Sequence, residues 1–290
     1  MRSAGVSAGS RVSPGMACGR ASSGVSERAP GRSPGRAFLG VSALLFAACT
    51  AVTIVWCGSM SAMGGMPMSG GWTLSMAWMR MPGQTWLAAA ASFLGMWLVM
   101  MVAMMLPALL PMLLRYRQAV GGAGQPRLGR LTALVGLAYF FVWTLCGAAV
   151  FPLGVALAAL EMQLPALARA VPVMTGLLVL VAGATQFSAW KARQLACCRE
   201  TPGRAHTLPA DAATACRHGL RLGLHCVTCC ASLTAILLGI GVMDLRAMAA
   251  VTAAISAERL APGGQRVARV IGVVAVAAGL FMIVRAAGVG

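Results

Sequence analysis

The sequence predicts an all-α, polytopic transmembrane helix bundle of about seven spans, with its N-terminus in the cytoplasm. Three observations predict it. Hydrophobic residues make up 59% of the chain and charged residues only 10%, whereas a soluble domain carries about a quarter charged residues. Too few charges remain to cover a water-facing surface, and the mean hydropathy of +0.81 points to lipid as the solvent. The basic residues behind the net charge of +17 sit in the gaps between apolar runs. That placement argues against a nucleic-acid surface, and aromatics at 6% leave few rings for bases to stack on.

Taken in order, residues 1–36 are rich in Ser, Gly, Pro and Arg without an apolar period. They are expected to form a disordered basic cytoplasmic tail ahead of a helical domain over 37–290. Met16 is an alternative start. The first span is expected at 38–57. Phe46-Ala47-Ala48-Cys49 loosely resembles a lipoprotein cleavage site, but the preceding basic stretch is too long and the apolar run continues past Cys49. A Met- and Gly-rich loop follows over 58–85. Further spans are expected at 86–114, 131–157, 171–190, 219–243, 247–260 and 267–287, each near the length that crosses a bilayer except the short sixth. Pro107 and Pro111 are expected to kink or end the second span. A basic loop is expected over 191–217 and a tight turn at Asp244-Leu245-Arg246. With the N-terminus inside, 19 of the basic residues face the cytoplasm and four face out, as the positive-inside rule asks of a bacterial inner (plasma) membrane protein.

Ten cysteines would suggest a disulfide framework in a short secreted chain. Here most lie in apolar runs or in the basic segments beside them. Three clusters of polar or sulfur-bearing residues stand out, because such groups inside a membrane usually face the bundle interior. In the fifth span, Cys226, Cys229 and Cys230 share a helical face, and His225 lies one turn from Cys229. Thiolates beside an imidazole suit a soft metal, Cu(I) or Zn(II). Packing is the alternative. Gly219 and Gly223, four apart, point to close helix contact. In the second span, Met96, Met100 and Met104 form a stripe with Met101 and Met105 beside it. This is either a thioether path for Cu(I) or flexible filler. The outer loop holds Met60, Met63, Met66, Met68, Met76, Met79 and Met81, either a capture site for copper or a lid on the membrane surface.

Glu258 is the one carboxylate close to a span interior, and the topology places Lys191, Cys197 and Cys198 at the same cytoplasmic face. Glu258 is expected as a hard ligand, a proton acceptor, a partner of Arg221, or an interfacial anchor with Arg259. No nucleotide-binding loop, Ser/His/Asp set or paired catalytic carboxylates is present, so no enzyme is expected and a transport ATPase is excluded.

Several stretches together resemble a bacterial family of metal-binding integral membrane proteins, a domain of unknown function often labelled copper chaperone. They are Met96-Trp97 with Met100 through Pro107, Gln186 through Lys191, Leu195 through Arg199, and His218 through Cys226 with Cys229-Cys230. Gly241 through Leu245 and Glu258-Arg259-Leu260 extend the likeness, which covers roughly residues 60–285. The resemblance implies metal binding, with Cys226, Cys229 and Cys230, and also Cys197 and Cys198, as ligands. This chain has Gln194 where relatives tend to have His or Cys, which moves weight from the loop motif to the fifth helix.

The expected function is Cu(I) handling by binding, transfer or passage, with zinc as the other candidate metal. The expected partners are the lipid bilayer, the metal ion and a copper donor or acceptor protein. Two other classes compete. One is a membrane thiol–disulfide oxidoreductase using Cys226–Cys229 or Cys197–Cys198, though adjacent cysteines bridge only with strain. The other is an assembly factor or scaffold for a membrane oxidase, in which sulfur only packs.

Overall fold

The computed structural model describes residues 34–62, 64–69, 71–80, 83–120, 124–199 and 209–288. Among these run eight α-helices: α1 (Pro34–Ala62), α2 (Trp86–Ala119), α3 (Gln125–Gln163), α4 (Pro165–Thr185), α5 (Ala189–Arg199), α6 (Ala212–Ile240), α7 (Leu245–Leu260) and α8 (Gly264–Gly288). Each of the seven expected spans falls largely on a helix, although the fourth, expected over 171–190, runs past the end of α4 at Thr185 and through a turn at 186–188. Six are long and apolar enough to cross a membrane. The exception is α7, whose 16 residues extend about 24 Å, short of a hydrocarbon core of about 30 Å. Of the tail expected over 1–36, residues 1–33 lie outside the described residues.

Large apolar side chains such as Leu44, Val55, Leu87 and Val284 are exposed, as lipid-facing positions must be. The centre belongs to α2: 61% of its most apolar stretch is buried, against 6% for α1. Trp97, fully buried on α2, donates its indole N–H to the Trp143 carbonyl of α3 at 2.8 Å. Lipid offers no water to that N–H, so an internal acceptor is required.

Glycine sets the close helix pairs. A Cβ built on Gly223 of α6 would lie 2.9 Å from Val142 Cβ and 3.0 Å from the Tyr139 carbonyl of α3. Gly219, one turn earlier, is pressed against the Val135 backbone. Between α4 and α8, a Cβ on Gly279 would lie 2.6 Å from Leu180 N, and one on Gly183 would lie 2.8 Å from Val276 N. Small residues allow this approach where the hydrophobic effect between helices is absent.

Three expectations need correction. The basic loop expected over 191–217 begins as helix α5. Its residues are good helix formers, and the Ser188 hydroxyl accepts the Lys191 N–H at 3.1 Å, capping the first turn. Hydropathy finds spans and passes over a short polar helix. Next, Pro107 and Pro111 do not end α2, which runs on to Ala119. Leu109 between them and Leu113 and Tyr116 beyond them are buried, so packing carries the helix past the missing N–H groups.

Lastly, the loop over 58–85 has structure. α1 extends to Ala62, and strands β1 (Met66–Pro67) and β2 (Thr73–Leu74) pair antiparallel, Met66 opposite Leu74. Gly71 turns the hairpin at φ +76°, where glycine alone is comfortable. Trp72 donates to the Ala168 carbonyl at 2.8 Å, and Trp78 packs on Phe93 with ring centroids 5.3 Å apart. The loop is thereby held on the ends of α2, α3 and α4.

Candidate metal centre

Asp211 starts α6. Its carboxylate accepts the Thr214 N–H and the Thr214 hydroxyl, both at 2.8 Å. These hydrogen bonds hold its carboxyl below the usual carboxylate range. The cap fixes where the helix begins, and the glycines at 219 and 223 turn one face of α6 against α3. Cys226, Cys229 and Cys230 follow, all at 2% exposure or less.

Cys226 is the hub. Its Sγ lies 3.8 Å from Cys230 Sγ and 4.0 Å from the Met105 thioether of α2. The Tyr139 hydroxyl of α3 donates to the same sulfur at 2.8 Å. Arg259, in the last turn of α7, donates Nη1 to it at 2.9 Å and Nη2 to Met112 Sδ at 3.5 Å. Four helices therefore converge on one sulfur. A metal–thiolate bond of about 2.3 Å lets two ligating sulfurs sit up to about 4.6 Å apart. Both separations from Cys226 lie within that limit, and two thiols with a thioether are the donor chemistry that a soft ion takes.

Beside this hub lies a buried ion pair. Lys191 Nζ of α5 is 2.8 Å from Glu258 Oε2 of α7 and donates to the Cys229 carbonyl of α6, also at 2.8 Å. Lys191 and Glu258 are each 1% exposed. One ammonium thus joins three helices around the sulfur cluster. The expectation that Glu258 pairs with Arg221 or anchors at the interface is corrected: Glu258 is buried against Lys191, and Arg221 is exposed. α7 runs back along α6 far enough to carry both Glu258 and Arg259 inside the bundle.

The remaining expected residues divide. Met96, Met100, Met101, Met104 and Met105 are all buried, and Met105 reaches Cys226. His225 is half-buried. Among the described residues, no three His, Cys, Asp or Glu side chains form a metal-holding group, so the cluster takes its third sulfur from methionine. Cys197 and Cys198 lie on α5 with side chains outside the described residues, and Met63 and Met81 of the outer loop lie outside them altogether. Of the other loop methionines, Met66 is exposed, while Met60, Met68, Met76 and Met79 are half-buried. At the far end of α1, Cys57 donates to Met243 Sδ at 3.9 Å, a second and simpler sulfur contact.

Sequence reasoning missed Tyr139 and Met112 and gave Arg259 no place at the sulfur. Signals existed. Tyr139 is one of two tyrosines, and Lys191 is the one lysine among 23 basic residues. A rare polar side chain within apolar surroundings is a reason to look for its partner.

A family model described as PpoB2, copper chaperone, matches residues 94–282, well over half of the chain and every residue of the sulfur hub. No curated protein and no solved structure matches.

Proposed function

The chain belongs to the PpoB2 copper chaperone family, and from that premise we propose that it binds Cu(I) between Cys226, Cys230 and Met105 and passes it on. The observation that carries this is the buried Cys226 sulfur, with Cys230 Sγ 3.8 Å and Met105 Sδ 4.0 Å from it. Thiolates and thioethers select soft Cu(I) over harder ions. The ligating form is the thiolate, and Cys226 already accepts from two donors, Tyr139 and Arg259.

In this reading the protein is a binding protein and no catalyst, and it sits in the bacterial plasma membrane with its N-terminus in the cytoplasm. Loop methionines on the outer face collect the ion. The buried methionines of α2 line its way, and the thiolates of α6 form the tighter end. Thioether before thiolate gives the path a direction, toward the cytoplasm, where an acceptor protein takes the cargo. Four basic residues lie outside and 19 inside on this topology.

The test is copper stoichiometry on detergent-purified protein under reducing conditions, before and after Cys226→Ser with Cys230→Ser. The expected result is one tightly held ion, lost in the double variant. Undiminished copper in that variant removes the thiol site from the account. Alkylation trapping on the same samples separates the oxidoreductase alternative, which requires the two thiols to cycle through a disulfide without metal.

A further inference from the structure

Two buried thiolates and a thioether satisfy Cu(I) and Zn(II) alike as sulfur ligands, so sulfur alone does not decide the charge of the ion. Arg259 bears on that charge. It comes from the last turn of α7, is 7% exposed, and places Nη1 2.9 Å from Cys226 Sγ. A guanidinium stays protonated in proteins, so this cation is a fixed part of the site.

Two thiolates holding Cu(I) make a complex of net charge −1, because two negative ligands meet one positive ion. The same ligands holding Zn(II) make a neutral complex. In water the difference is small. Within an apolar bundle, a buried charge needs an opposite charge in contact with it. The Arg259 guanidinium supplies that contact to the monovalent complex. Facing the divalent complex, it meets a sulfur whose negative charge is already cancelled, with a doubly charged ion behind it.

We propose that Arg259 is the specificity-determining counter-charge of this centre, matching it to a soft monovalent cation and disfavouring divalent ions. The inference rests on the reading above, in which Cys226 and Cys230 hold the ion. Consecutive side chains on α7 divide the work: Glu258 reaches Lys191 on α5, at 2.8 Å, while Arg259 reaches sulfur on α6 and α2. Tyr139 gives an internal control. Its hydroxyl donates to the same sulfur at 2.8 Å but carries no charge, so its loss weakens every ion to a similar degree.

The experiment measures dissociation constants for Cu(I), Ag(I) and Zn(II) on the full chain in detergent, for wild type, Arg259→Gln, Arg259→Lys and Tyr139→Phe. Arg259→Gln is expected to weaken Cu(I) and Ag(I) by about a hundredfold, the scale of a buried charge left without its partner, while Zn(II) holds steady or tightens. Arg259→Lys keeps the charge and recovers most of the monovalent affinity, which a purely structural role for the side chain would not require. Equal loss for Cu(I) and Zn(II) in Arg259→Gln overturns the proposal. Should Arg259→Gln fail to fold, Arg259→Met takes its place: loss confined to the monovalent ions supports the proposal, and equal loss for Ag(I) and Zn(II) overturns it. A wild type that binds Cu(I) through Cys226 and Cys230 without any charge preference defeats this inference alone. A wild type that binds no ion defeats the underlying reading and this inference with it.

Discussion

Between α4 and α8 the helices meet through glycine, and between α2, α6 and α7 they meet through sulfur and charge. At the first contact, Gly176, Gly183, Gly272 and Gly279 bring backbone against backbone. Backbone atoms of the facing segment are among the nearest neighbours of each, so little at this interface can turn. At the second, Met105, Met112, Cys226, Cys230 and Arg259 meet through long or polarisable groups. Methionine has three rotatable bonds and adapts to irregular space, so sulfur can shift toward an ion by changing rotamers. The contrast teaches a division of labour. The glycine face fixes the frame, and the sulfur face keeps the freedom that, on the proposed function, taking up and giving away a cargo needs.

Three substitutions sharpen or break this contrast. The largest effect is expected at Lys191, the link between the charged side and the frame. Lys191→Met leaves Glu258 buried beside a carbonyl, and breaking a buried pair by removing one partner costs about 3–5 kcal/mol. Denaturant unfolding in detergent should show that loss, and adding Glu258→Leu should recover most of it. If Lys191→Met is neutral, the pair does not hold α5 to α7.

Next comes the glycine face. Gly279→Ala puts a methyl 2.6 Å from Leu180 N and 2.8 Å from the Gly176 carbonyl, and backbone cannot yield as a side chain does. Overpacking of this kind costs about 1–3 kcal/mol. The thermal midpoint should drop while the number of bound copper ions stays unchanged. A parallel loss of copper would show that the two faces are not separate in function.

The smallest effect is expected from Tyr139→Phe, which removes one donor from Cys226. A hydrogen bond of about 1 kcal/mol corresponds to copper affinity about fivefold weaker, with little change in stability. Titration against a competing Cu(I) chelator measures it. An unaltered constant would leave Arg259 as the sole donor that matters.

Much of the frame was legible in the sequence because apolar length and the placement of arginine are properties of single segments. Each expected span falls largely on a helix, and Gly219 and Gly223 announce a close helix approach by spacing, whose partner turns out to be α3. The burial of the α2 methionines and of Cys226, Cys229 and Cys230 follows the same one-helix logic. The rest depended on which helices face each other. Tyr139 is 87 residues from Cys226, and Arg259 is 33 residues from it. No local pattern joins them. Lys191 and Glu258 illustrate the same limit: each could be singled out as rare, but only the turn at 186–188 and the start of α5 bring them within 2.8 Å. His225 shows the reverse case. Spacing alone placed it near Cys229, yet no group of three His, Cys, Asp or Glu ligands forms around it among the described residues.

The shortness of α7 has one more consequence. From the Asp244 cap, whose carboxylate takes the N–H groups of Arg246 and Ala247, the helix works as a measuring rod. It sets down Glu258 and Arg259 at a fixed depth and on opposite tasks. One residue more or fewer would rotate both by about 100° and slide them by about 1.5 Å. The ammonium of α5 and the thiol of α6 would then each face the wrong neighbour. This rod keeps its calibration only at a single number of residues.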